Sequence, residues 1–225
     1  MNYQVPGANV WKHAPSLEAM AGGSRKFFLN GTKSGANYVL GDRASRTSAT
    51  LTVDYSDRSD ADRQPPGGGF EDKDLDTSNS LVFVSAPYTK PTELSGLFSG
   101  RLDFVCNKKD FDFQIALYEK TPAGDYIQLT PYWSRASFVA DRSQRHLLTP
   151  GKRQSIVFRA NRVMSRLLAP GSRLVAVLGV IKAQDREINY GAGKTVAKET
   201  IADAGPPLKI RWLGTSFIAI PLGRP

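Results

Sequence analysis

The chain has 225 residues, 40% of them apolar and 10% aromatic, with 30 Lys+Arg against 21 Asp+Glu for a formal net charge of +9. That apolar content supports a packed core and excludes global disorder. No apolar run reaches the roughly 18–20 residues that span a bilayer, and the opening MNYQVPGANVW lacks the regions of a signal peptide, so no membrane partner is expected; the compartment is left open, with a cytoplasmic one slightly favoured.

Along the chain, the first 75 residues are the least regular. Ser16 to Ala21 predicts a helical turn, and Lys26 to Leu29 and Thr50 to Tyr55 predict short strands. Arg63 to Gly69 (RQPPGGG) reads as an exposed loop within an acidic stretch. From Leu81 onward period-2 patterning takes over. Leu81 to Ala86 predicts a buried strand, and Leu102, Phe104 and Cys106 alternate with Arg101 and Asp103. Phe111, Phe113, Ile115 and Leu117 share one face, which leaves Asp112 and Gln114 on an expected wet face. Leu174 to Val180, Leu208 to Trp212 and Phe217 to Pro221 follow. Turn signals at Pro87, Pro91, Pro122 to Asp125, Pro150-Gly151 and Pro170-Gly171 separate these runs. Strands so spaced, with no helical period between them, predict an all-β protein, a β-sandwich or jelly roll.

The chemistry-bearing residues are sparse. Cys106 is the single cysteine, so neither an internal disulfide nor a multi-thiolate metal site is available. It falls on an apolar alternation and is expected to be a small buried hydrophobe. The two histidines, His13 and His146, lack local partners that would orient a base or complete a metal site. Gly193-Lys194-Thr195 ends like a P-loop, but its first glycine would fall on Ile188, and no cradle is expected to converge on a phosphate. Gly96 to Gly100 has the glycine frame of a nucleophile elbow, with Phe98 where the nucleophile belongs. Asp110 and Asp112 are expected to be ordinary carboxylates on the wet side of a sheet. No catalytic residue, cofactor or metal is therefore expected.

The charge is concentrated. Asp141 to Arg173 carries eight basic residues against one acid, and Asp54 to Asp76 eight acids against three bases. No recognised nucleic-acid-binding motif accompanies the basic stretch. A solvated face or an acidic partner domain is the expected counterpart, not nucleic acid.

Several motifs then occur in order: Ser80 to Tyr88 (SLVFVSAPY), Glu93 to Gly96, Asp110-Phe111-Asp112-Phe113 with Pro122-Ala123-Gly124, Arg135-Ala136-Ser137, Pro170 to Leu174, Asn189-Tyr190-Gly191 and Ser216 to Leu222. Together they resemble the C-terminal domain of the X-prolyl dipeptidyl peptidase, cocaine esterase and α-amino acid ester hydrolase family. Val5 to Trp11 and Lys26 to Leu29 resemble its lead-in, and Pro6 and Ser172 depart from its pattern. The resemblance implies a jelly roll of galactose-binding-like topology. It implies residues 80–225 as the jelly-roll domain, with 1–79 as a lead-in packed on it, an acidic loop at 56–76, and one structural unit overall. It also implies a non-catalytic part of a serine hydrolase, docked on upstream α/β-hydrolase and cap domains and helping to wall the substrate pocket; a homo-oligomer is left open. The alternative is a stand-alone carbohydrate-binding module, with Tyr132, Trp133 and Asp141 as candidate ligand or pocket-wall residues.

Overall fold

A computed structural model of the chain describes residues 1–59, 70–183 and 185–224. The Arg63 to Gly69 loop lies outside the described residues. Within them every regular element is a β-strand or a single 3-10 turn. The expected turn near Ser16 to Ala21 is such a turn, at Glu18–Met20.

The chain opens with a separate antiparallel hairpin, β1 (Asn2–Val5) and β2 (Val10–His13). Its turn places Gly7 at φ +88° and Asn9 at φ +56°, the left-handed region that glycine and asparagine tolerate best. Gly7 is also held by space, because a Cβ there would lie 2.5 Å from the Leu167 carbonyl oxygen. The Gly and Asn of the Val5 to Trp11 motif are thus the two residues that shape this turn.

Three more early strands follow, β3 (Ala21–Ser34), β4 (Asn37–Gly41) and β5 (Ser48–Val53), then the two-residue β6 (Glu71–Asp72). The rest are β7 (Ser80–Ser85), β8 (Thr92–Gly96), β9 (Ser99–Cys106), β10 (Asp112–Lys120) and β11 (Tyr126–Arg135). After these come β12 (Arg153–Arg159), β13 (Met164–Leu168), β14 (Arg173–Val180), β15 (Leu208–Leu213) and β16 (Phe217–Gly223). Strands β3 to β16 form one hydrogen-bonded network of order β5-β15-β9-β16-β3-β4-β7-β14-β10-β11-β6; β12 is attached to β9, and β13 is attached through β8 to β16. The pairing of β4 with β7 is parallel, and the other pairings among the described residues are antiparallel. Strands β3, β4 and β5 are therefore members of the same sheet as the later strands.

The strands curl around an aromatic core. Phe113, Ile115 and Leu117 of β10 face it, as the alternation predicts. Tyr132 stacks on Phe158 with centroids 4.8 Å apart, and Phe104 meets Trp212 at 5.3 Å and Phe111 at 5.5 Å. The opposite face of β10 is drier than expected. Ala116 joins Val175 and Val177 in a second cluster, flanked by Leu75, Tyr118 and Tyr126.

Strands β1, β2, β4, β6, β8, β11, β12 and β13 lie outside the predicted runs, and in β11 and β12 the residues themselves conceal the strand. β11 carries Pro131 in its middle, which argues against a central strand. At Pro131, among the described residues, β11 pairs with β10 alone, its contact with β6 being confined to Tyr126 and Ile127. One edge of β11 is thus open there, the setting in which a strand tolerates proline. β12 lies inside the basic stretch, and its arginines conceal an alternation in which Ile156 and Phe158 face inward while Arg153, Val157 and Arg159 face out. Among the described residues it pairs with β9 alone, and charged outward side chains are a common way to blunt such an edge.

The glycine frame at Gly96 to Gly100 is the tight connection between β8 and β9. Gly96 adopts φ +126°, and Phe98 is fully buried in the core. A Cβ on Gly100 would lie 2.7 Å from the Phe158 ring. Close packing, not an exposed nucleophile, requires these glycines.

Candidate functional site

The motifs that were separate in sequence converge at one end of β10 and β11. Asp110, just before β10, has no solvent exposure. This corrects the expected wet-side position. Its Oδ1 accepts the backbone N–H of Phe111 at 2.9 Å and of Ser137 at 3.0 Å. Its Oδ2 accepts the Ser137 hydroxyl at 2.7 Å and the Arg145 guanidinium at 2.9 Å. Two residues on, Asp112 takes Nε and Nη2 of Arg135 at 2.8 and 2.9 Å, the bidentate fork that makes arginine–carboxylate pairs strong. Asn189 donates to Asp112 at 2.8 Å, and Arg135 also reaches Glu187 at 3.2 Å. These hydrogen bonds, Asp112 first, raise Arg135 further above its usual basic range. Asp110-x-Asp112 and Arg135-x-Ser137 are thus two halves of one clamp, locked by Asn189.

A second device adjoins it. The backbone N–H groups of Gly191, Gly193 and Lys194 converge on the Glu199 carboxylate at 3.1, 3.0 and 3.1 Å. The sequence around Gly193-Lys194-Thr195 gave no reason to expect convergence. Gly191 and Gly193, at φ +77° and +89°, curl the backbone into an anion-binding nest. The anion is the chain's own glutamate, so the segment is not a nucleotide loop. Replacing Glu199 with alanine is expected to strand the Gly193 and Lys194 donors, while Gly191 keeps Asn189, at a cost of about 1–3 kcal/mol, and to let inorganic phosphate raise the variant's Tm. The same phosphate titration of the parent protein, followed by differential scanning calorimetry, is expected to leave its Tm unchanged.

Between these devices lie Tyr55, Lys108 and Cys106. The Tyr55 hydroxyl is buried without a hydrogen-bond partner among the described residues. Burial pushes its titration well up, and Asp112, Asp110 and Glu199 act in the same direction. Lys108 donates to the Ala204 carbonyl, and burial pushes its ammonium down. Cys106 is buried and donates to the Lys108 carbonyl at 3.2 Å, and burial pushes its thiol up. That environment disfavours the reactive thiolate, in keeping with the expected buried hydrophobe.

Half of the basic stretch pairs with acids within the molecule. Besides Arg145 with Asp110, Arg166 pairs with Glu119, Arg159 with Glu18, and Arg153 approaches Asp103 at 3.7 Å. Ser172, one of the departures from the family pattern, is fully buried and donates to Glu119 at 2.6 Å. Asp103, 1% exposed, takes the hydroxyls of Ser155 and Thr215 at 2.5 and 2.6 Å. Burial alone would raise its pKa, but these hydroxyls with Arg101 and Arg153 hold it below the usual value. A lowered carboxylate pKa stabilises the fold above the unfolded-state pKa of roughly 4, and that contribution is lost as pH falls through the folded-state value. In urea unfolding from pH 7 to pH 2, the stability gap between the parent protein and Asp103→Asn is therefore expected to narrow below about pH 4.

A cavity of about 360 Å³ opens beside the clamp, lined by Asp112, Trp133, Arg135, Ile181, Arg186 and Glu187 among others. Of the three candidate ligand residues, only Trp133 lines it. Tyr132, next in the strand and so on the opposite face, is 4% exposed within the aromatic core. Asp141 sits in the following loop, where it accepts the Ser143 amide and hydroxyl at 2.8 and 2.6 Å. The structure does not bring the three together. Sequence reasoning quoted Arg135 as part of a motif but not its pairing with Asp112, and it missed Arg145 and Glu199, whose partners lie many residues away. His13 and His146 are both exposed, and His13 hydrogen-bonds Asn2 at 2.8 Å. Among the described residues no three His, Cys, Asp or Glu side chains group as a metal site, and no helix is long and apolar enough to cross a membrane.

Comparison with known proteins places this arrangement. Residues 2–179 match the family model described as the X-Pro dipeptidyl-peptidase C-terminal non-catalytic domain. No match was found among curated proteins. Among solved structures, an aminopeptidase from a marine sediment archaeon (Thaumarchaeota archaeon) superposes with a TM-score of 0.75 at 13% identity, over 99% of this chain and 41% of that one. An α-amino acid ester hydrolase gives 0.71 at 15%, over 98% and 40%. A CocE/NonD family hydrolase from Staphylococcus aureus gives 0.65 at 14%, over 99% and 40%. At these identities the superpositions show the fold alone, and the chain spans about 40% of the length of each solved relative. With its glycine frames turned to packing and its nest filled by its own glutamate, the chain belongs to the family of X-Pro dipeptidyl-peptidase C-terminal non-catalytic domains.

Proposed function

We propose that the chain is a jelly-roll module of galactose-binding-like topology that docks on an α/β-hydrolase domain with its cap and helps wall that enzyme's substrate pocket. Residues 1–79 and 80–225 act in this reading as one structural unit, a view supported by β3, β4 and β5 entering the common sheet. The observation that carries the docking is the N-terminal hairpin. Lys12 turns inward to Glu93 at 2.8 Å and Val5 is fully buried, whereas Trp11 points outward with 71% of its surface exposed. Val10 and Met1 on the same hairpin are 44% and 47% exposed. Exposed tryptophans of this kind are typical anchors at interfaces. The carbohydrate-module alternative gains nothing from the arrangement, because Tyr132, Trp133 and Asp141 do not share a surface.

The test is capture with identification. The tagged chain is incubated with extract of its source cells pre-labelled with a serine-directed fluorophosphonate. A labelled α/β-hydrolase, cross-linked to the hairpin and bound at least tenfold more weakly by Trp11→Ala, is the expected result. Absence of any labelled hydrolase, or a stable homodimer that itself buries Trp11, would overturn the docking.

A further inference from the structure

From the cavity beside the clamp we infer a binding site for an organic monocarboxylate. Its volume of about 360 Å³ falls within the range of about 300–1,000 Å³ common for small-ligand sites. Trp133 and Ile181 supply apolar wall. Arg135 is not the recognition group, since its Nε and Nη2 are committed to Asp112 and Glu187. Arg186 is different. Its guanidinium lies 5.1 Å from the centre of the Trp133 ring, and its nearest carboxylate, Asp185, is 3.9 Å away, beyond hydrogen-bond reach. Arg162 lies 4.6 Å from the centre of the same ring. The indole is itself fixed by a hydrogen bond from Nε1 to Gln114 at 3.2 Å.

A guanidinium stacked on an aromatic ring keeps its N–H edge free, and that edge matches a planar carboxylate fork to fork. Three ligand classes can then be separated on charge and shape. A neutral sugar stacks on a bare ring face, but guanidinium groups cover this indole. A dianionic phosphate would meet the Asp112 and Glu187 carboxylates in the same walls. A monocarboxylate with an apolar body pairs with Arg186, lies against Ile181, and brings one negative charge.

The test is an NMR titration of the 225-residue chain with benzoate, inorganic phosphate and methyl β-galactoside in separate arms. Benzoate is expected to give saturable shifts of the Trp133 indole N–H and of the Ile181 and Glu187 amides. Affinity should fall at least tenfold in Arg186→Ala and recover in part in Arg186→Lys; Arg186 is exposed, so both variants should fold. Absence of saturable shifts with benzoate, equal affinity in Arg186→Ala, or stronger binding of phosphate or the galactoside at these residues would overturn the assignment.

Discussion

Replacing Asp110 with alanine is expected to lower the stability of the fold by about 3–5 kcal/mol, the usual cost of removing one partner from a buried ion pair. The carboxylate is wholly buried and accepts four hydrogen bonds, from two backbone amides, one hydroxyl and one guanidinium. Its loss strands the Phe111 and Ser137 amides and leaves Arg145 beside a vacated site. Asp110→Asn keeps the size but supplies a donor where donors already converge, so it is expected to recover only part of the loss. Urea denaturation with the m-value monitored checks this. A cost within 1 kcal/mol of zero would mean that the clamp does not hold this end of the sheet.

The second large effect lies in the core. Trp212 is fully buried against Phe104 and Phe111, and its Nε1–H has no hydrogen-bond partner among the described residues. Trp212→Ala is expected to cost about 3–5 kcal/mol through lost transfer energy and the cavity left behind. Trp212→Phe keeps most ring contacts and removes an unsatisfied donor, whose burial costs about 1–3 kcal/mol. Its net cost is expected to stay below about 2 kcal/mol. Thermal unfolding of both variants separates the two contributions, and equal costs would contradict the unsatisfied-donor reading.

What could be read from the residues follows from how far each signal reaches. The alternation of Phe111 to Leu117 is local, and β10 stands where that run places it. β11 was hidden by Pro131, whose tolerance depends on an open edge that no local pattern reveals. β12 was hidden by its own arginines, since an edge strand with charged outward positions reads as a basic patch. The Asp110-x-Asp112 and Arg135-x-Ser137 halves were each visible as motifs. Their junction was not, because it joins residues that meet only when β10 folds against β11 and Asn189 comes over both. Glu199 was missed for a related reason: a glutamate filling a backbone nest has no signature apart from the glycines it faces. The cavity likewise needs β10, β11 and the segment after β14 to be brought together.

The charge distribution changes meaning in the same way. A stretch of eight basic residues suggests a surface for an external anion, yet Arg145, Arg159 and Arg166 meet acids from distant parts of the chain. Half of this stretch pairs with acids, counting Arg153 near Asp103, whereas Arg162, together with Arg186 from outside the stretch, lies against Trp133.

The most direct measurement is a hydrolysis assay of the purified 225-residue chain on aminoacyl p-nitroanilides and p-nitrophenyl esters, with and without a serine-directed fluorophosphonate. Turnover no faster than buffer, with no fluorophosphonate adduct on the chain by mass spectrometry, is the expected result. Turnover that scales with chain concentration, is abolished by the inhibitor and accompanies an adduct on one of its own serines would contradict the account of a non-catalytic domain.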